Sequence, residues 1–249
     1  MAKTFEALMK AEKEKKIRLE ETKVFDQKPP ITSLSRETVS VPSQTTEEYH
    51  RLKHHIKTIA QEEAIRTIVF ASATHEEGTS TVLVNFAITL AKECNTVLLI
   101  DANLRTPSLH QYFNLEQKVG LSGLLQGKAT LENVIKQTKI ANLSVITSGS
   151  PQANPFSLFE SESLDGLIEQ MKEHAYWVLF DSPPVNHYNE GILLGARVDG
   201  VVMVVEAEET RWEVAQSGRE RLENGRAKIL GAVLNRRKMY IPGWVYRML

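Results

Sequence analysis

Ala71-Ser72-Ala73-Thr74-His75-Glu76-Glu77-Gly78-Thr79-Ser80-Thr81 follows the apolar run Thr67-Ile68-Val69-Phe70 and precedes Val82-Leu83-Val84-Asn85-Phe86-Ala87. Read in order, this is a strand, a loop of small and polar residues, and a helix. That is the setting of a phosphate-binding loop. Small residues let backbone N–H groups wrap an anion at a helix N-terminus, a lysine neutralises the outer phosphates, and a Ser or Thr hydroxyl serves magnesium. Gly78 and Ser80 keep their places in that scheme, whereas Thr79 stands at the lysine position. Glu76 and Glu77 bring two negative charges to the same loop, which opposes anion binding unless their side chains turn outward. The expectation is a phosphate loop with weakened nucleotide affinity.

Working outward, further apolar runs of strand length alternate with helical segments: Thr96 to Ile100, Leu143 to Ile146, Trp177 to Phe180, Val201 to Val205 and Ile229 to Leu234. Continuous hydrophobicity, rather than alternation, predicts strands buried on both faces. The fold class expected is therefore α/β: P-loop NTPase-like, mostly parallel, with helices on both faces of the sheet. In such sheets ligands gather at the carboxyl ends of strands. Two of those ends carry an aspartate, in Leu99-Ile100-Asp101-Ala102-Asn103-Leu104-Arg105 and in Leu179-Phe180-Asp181-Ser182-Pro183-Pro184. Carboxylate oxygen suits a hard cation such as Mg2+, or can position an attacking hydroxyl. Ser80, Asp101 and Asp181 are the candidate metal set.

These motifs resemble those of the cytoplasmic bacterial tyrosine kinases of capsule and exopolysaccharide gene clusters, relatives of the MinD and ParA ATPases. The resemblance extends to Gly120-Leu121-Ser122-Gly123-Leu124-Leu125-Gln126-Gly127, to Asn142 through Gly149 with Asn154-Pro155, to Val198-Asp199-Gly200-Val201, and to Gly231-Ala232-Val233-Leu234-Asn235. It implies ATP and Mg2+ as cofactors and transfer of the γ-phosphate to tyrosine. It assigns Gly78, Thr79, Ser80, Thr81 and Asn235 to the nucleotide, with Asn235 at the adenine, and Asp101, Asp181 and Asn103 to catalysis. Asn103 stands where the family pattern has a second aspartate, and His75-Glu76 stands where it has Pro-Gly. With Thr79, three changes fall on one site. The function expected is a weakened or non-catalytic regulator acting on a membrane polysaccharide co-polymerase. The alternatives are an active tyrosine autokinase, with a group such as Arg105 replacing the lysine, and a MinD-like positioning ATPase, although Thr74 holds the place of that group's signature lysine.

Organisation and composition fit this reading. A charged N-terminal helix is predicted over 1–27, a Pro-, Ser- and Thr-rich linker over 28–44, the kinase-like domain over 45–238 and a basic, aromatic tail over 239–249. A formal net charge of -1 over 249 residues gives no general attraction to nucleic acid, and the lone Cys94 excludes an internal disulfide. With no apolar leader and no membrane-length run, a cytoplasmic place is expected. The chain end, Arg236 to Leu249, has no acidic residue and suits either an anionic membrane surface or packing back on the domain. Glu47-Glu48-Tyr49-His50-Arg51-Leu52-Lys53 resembles the family's ring-forming helix, with His50 and Lys53 in place of arginines, so homo-oligomers are a further expectation.

Overall fold

The computed structural model describes residues 43–93, 95–161 and 163–237. The predicted N-terminal helix, the linker before Ser43, Cys94 and the predicted tail lie outside those residues. The described strands are β1 (Thr67–Ser72), β2 (Val97–Asp101), β3 (Ile135–Gln137), β4 (Leu143–Ile146), β5 (Trp177–Asp181), β6 (Gly200–Glu206) and β7 (Ile229–Asn235). They form one sheet in the order β3-β4-β2-β5-β1-β6-β7. Every pairing is parallel except β3 on β4. The expected α/β architecture is present, with all six strands read from the sequence.

Buried character follows from the covering helices. Successive residues of β1 enter opposite cores: Val69 and Ala71 face one, Ile68 and Phe70 the other. One core is closed by α3 (Leu121–Leu125), α4 (Ser163–His174), α5 (Glu190–Gly195) and α6 (Trp212–Asn224), whose Leu124, Ile168, Met171, Leu194 and Leu222 belong to it. The other is closed by α1 (Ser43–Glu63) and α2 (Thr79–Ala91). There Phe70 and Phe86 meet with ring centroids 5.5 Å apart, both fully buried. Each such side chain contributes roughly 1.5–3 kcal/mol of burial free energy, so neither face could be opened cheaply.

Helix α1 begins at Ser43, two residues inside the segment 28–44 expected as linker. Its Tyr49 and Ile56, two turns apart, are buried against α2, and Asn85 donates to the Tyr49 hydroxyl at 3.3 Å. Among the described residues, no helix is long and apolar enough to cross a membrane.

Candidate active site

The carboxyl ends of β1, β2 and β5 meet at the phosphate loop. After β1 the chain is pinned by backbone bonds, Val185 N to Ser72 O at 2.9 Å and Asn186 N to Ala73 O at 3.2 Å. It then turns through two left-handed residues, Glu76 at φ 66° and Gly78 at φ 81°, before α2 starts at Thr79. The loop geometry therefore survives loss of the family's glycine, at the cost of holding a non-glycine residue in a conformation that is about 1 kcal/mol unfavourable. Glu76→Gly is expected to raise stability by about 0.5–1 kcal/mol, read as a higher urea midpoint at unchanged slope.

The two loop glutamates behave differently from the expectation of paired charges at the anion. Glu77 is buried, and its carboxylate is turned into the protein, where it accepts from Thr74 N at 2.9 Å, from the Thr210 hydroxyl and, more weakly, from Glu206 N at 3.4 Å. Its charge is spent on straps to the end of β6 and the turn after it. Asn235, at the end of β7, closes over the same loop: its amide donates to Glu77 O at 2.8 Å, while its own oxygen accepts from Arg236 N at 2.9 Å. A Cβ on Gly78 would stand 2.3 Å from the Asn235 amide nitrogen, so only glycine allows this approach.

Beyond the loop, Asp101 and Asp181 occupy neighbouring positions in the β2–β5 ladder. Both are buried. Ser80 donates its hydroxyl to Asp181 Oδ2 at 2.5 Å, and Asp101 Oδ2 accepts from the backbone of Ser108 and Leu109 at 3.0 Å each. The other oxygen of each carboxylate, Oδ1, is buried with no hydrogen-bond partner. Burial pushes the Asp181 carboxyl up to about 7, against the Ser80 bond that lowers it. Asp101 is also raised well above the ordinary carboxylate range, first by burial and then by the neighbouring Asp181. Two unpaired oxygens on adjacent carboxylates, beside a hydroxyl, form a hard-oxygen donor set of the kind Mg2+ takes, so these residues fit the ion. Among the described residues there is no group of three or more His, Cys, Asp or Glu with metal-holding geometry.

The remaining expected residues are placed as follows. Asn103 is used locally, its oxygen accepting from Thr106 N at 3.1 Å and its amide donating to the Thr106 hydroxyl at 3.1 Å. Thr81 shares a 2.6 Å hydrogen bond with the Tyr112 hydroxyl, and Thr79 is buried at the first position of α2. Arg105 is held by Glu190, with Nε at 2.9 Å and Nη2 at 2.7 Å, and its guanidinium lies 4.2 Å from the centre of the Tyr188 ring. Glu190 carries no sequence signal, since a lone glutamate at a helix start is common on chemical grounds alone. Buried, with one oxygen unpartnered, it is part of this wall. His75, in the place of the family's proline, packs against His187 with ring centroids 4.8 Å apart. On α1, Lys53 is buried and turned into its own chain, donating to Glu93 and lying 3.0 Å from His50 Nδ1.

No protein-family model matches the chain. It is similar to the tyrosine-protein kinase YwqD of Bacillus subtilis (strain 168), 32% identical over 197 residues that make up 79% of this chain and 83% of that one. Among solved structures, the chimerical protein CapA2B2 superposes with a TM-score of 0.76 at 32% identity, covering 82% of this chain and 88% of the other. The kinase domain of the Escherichia coli tyrosine kinase ETK gives the same TM-score at 25% identity, covering 84% and 86%.

Proposed function

The chain belongs to the bacterial tyrosine-protein kinase family, and from that membership we propose that it serves as a regulatory member with phosphotransfer weakened or lost, acting on a membrane polysaccharide co-polymerase. The observation that carries this reading is the disposition of positive charge at the loop. Thr79 replaces the lysine, and the two arginines that flank the site are both committed to carboxylates. Arg105 is bound by Glu190, and Arg236, whose Nε would lie 3.9 Å from a Cβ on Gly78, is bound by both oxygens of Glu206 at 2.9 Å. A transferred phosphoryl group spreads charge over its outer oxygens, and with the lysine replaced and both of these arginines held by carboxylates that charge is poorly met.

Mg·ATP, when bound, supplies the phosphoryl group and part of the neutralising charge. Ser80, Asp101 and Asp181 are the residues that would hold the ion, and the backbone N–H groups from Glu77 to Ser80 would face the phosphates. With no ion bound, burial holds the Asp181 carboxyl at about 7. The intact Ser80–Asp181–Asp101 arrangement keeps an active autokinase as the second reading.

Calorimetric titration with Mg·ATP separates the two. The natural chain is expected to bind feebly, and Thr79→Lys to tighten binding about 10- to 100-fold, the worth of one charge-assisted hydrogen bond to phosphate. Tight binding by the natural chain, with phosphotyrosine appearing in a blot of the purified protein incubated with Mg·ATP, would overturn the regulatory reading.

A further inference from the structure

The two edges of the sheet are unlike. At one side β3 is three residues long and carries Lys136, and a short, charged strand is a poor template for further pairing. At the other side β7 runs for seven residues, Ile-Leu-Gly-Ala-Val-Leu-Asn, with neither a charge nor a proline. Its register on β6 shifts near Leu230 and is regular from Gly231 to Asn235. Whereas β6 is buried along Gly200–Val204, β7 is half-buried or exposed throughout, and Leu234 is 58% exposed. Among the described residues, its outer edge has no strand partner.

The geometry points to a docking surface on β7 for the chain's own C-terminal segment, residues 238–249, which returns antiparallel along the open edge and covers Ala232 and Leu234. Several observations select this occupant. Arg236 takes a left-handed turn, φ 55°, directly after β7, and its guanidinium is fixed by both oxygens of Glu206. The chain therefore leaves the strand through an anchored left-handed residue, where a reversal of direction can begin. Twelve residues remain, able to span about 40 Å when extended, against about 23 Å for β7. They include Met239, Ile241, Trp244, Val245, Met248 and Leu249, and no acid. Pro242 has no N–H to donate, which an outermost strand tolerates on its solvent side. Docking would lay Tyr240 and Tyr246 on the chain's own sheet and withdraw both from any neighbouring site. This inference does not depend on whether the loop binds nucleotide.

Hydrogen exchange read by mass spectrometry on the full chain tests it, beside a chain ending at Arg237 and the full-length Leu234→Glu variant. Peptides covering 229–235 are expected to exchange at least about tenfold more slowly in the full chain than in the truncated one, at every protein concentration. Leu234→Glu, placed on an exposed position, should speed the same peptides while leaving β1 and β5 protected, and it decides the matter if the truncated chain fails to fold. Equal exchange in the full chain and both variants would overturn the proposal. So would slowing that grows with protein concentration, which would mean a second copy on the edge, or slowing that appears only with phosphatidylserine vesicles, which would mean a membrane occupant.

Discussion

Asp181→Asn is expected to melt several degrees above the natural chain at pH 8 and at nearly the same temperature at pH 4. The folded Asp181 carboxyl titrates at about 7 because it is buried, with the Ser80 hydrogen bond opposing the shift, whereas in the unfolded chain it titrates near the ordinary value of 3.8. Between those values the folded state holds more protons than the unfolded one, so stability falls as pH rises from about 4 to about 7 and stays low above. A shift of about three units corresponds to roughly 4 kcal/mol, and a domain of this size gains about 2–4 °C per kcal/mol. Asparagine removes the charge but keeps an oxygen that can accept from Ser80. Differential scanning fluorimetry between pH 4 and pH 8 reads the effect. A natural chain whose melting temperature rises steadily over that range would contradict it.

The same arrangement makes Mg2+ the stabilising ligand where the pair is most strained. At pH 8 the Asp181 carboxyl has given up its proton, so millimolar Mg2+ should raise the melting temperature of the natural chain more than at pH 5.5, and should do little for Asp181→Asn. The site thus has a readout independent of phosphotransfer.

What the sequence shows plainly is whatever depends on burial. β2 and β5 are apolar at every position up to their closing aspartates, and β1 is apolar from Ile68 to Ala71, because both faces of the sheet are covered, and the two aspartates are visible for the same reason. β3 is invisible because Ile135-Lys136-Gln137, two half-buried residues and an exposed one, leave no pattern to read. The Gly120-Leu121-Ser122 stretch is recognisable only by resemblance. Its physical reason is tertiary: Leu121 N and Ser122 N donate to Thr147 O and Ser148 O at 2.8 Å, and a Cβ on Gly120 would lie 2.0 Å from Thr147 O. The direction of a side chain is the least legible property. Glu76 and Glu77 look equivalent in sequence, yet Glu76 takes the left-handed turn while Glu77 is buried in bonds to residues more than a hundred positions away. Likewise Arg105, a plausible stand-in for the lysine, is claimed by Glu190, whose role no local pattern announces.

Glu77→Ala should therefore cost about 3 kcal/mol, an effect far larger than removal of an ordinary loop glutamate. The buried carboxylate satisfies Thr74 N and the Thr210 hydroxyl closely and Glu206 N at longer range, and orphaning a buried donor costs roughly 1–3 kcal/mol each. Glu77→Gln keeps one acceptor but turns an NH2 toward donors, so its loss should be intermediate. Urea unfolding of the three proteins gives the order. The response to nucleotide then connects the strap to the function proposed. In a loop held chiefly by bound phosphate, Mg·ATP would restore the stability lost in Glu77→Ala. In this chain the straps from Glu77 and Asn235 hold the loop without phosphate, so Mg·ATP is expected to restore little in Glu77→Ala and substantially more in the Thr79→Lys, Glu77→Ala double variant. Equal rescue in both would show that the natural loop already grips nucleotide without its lysine.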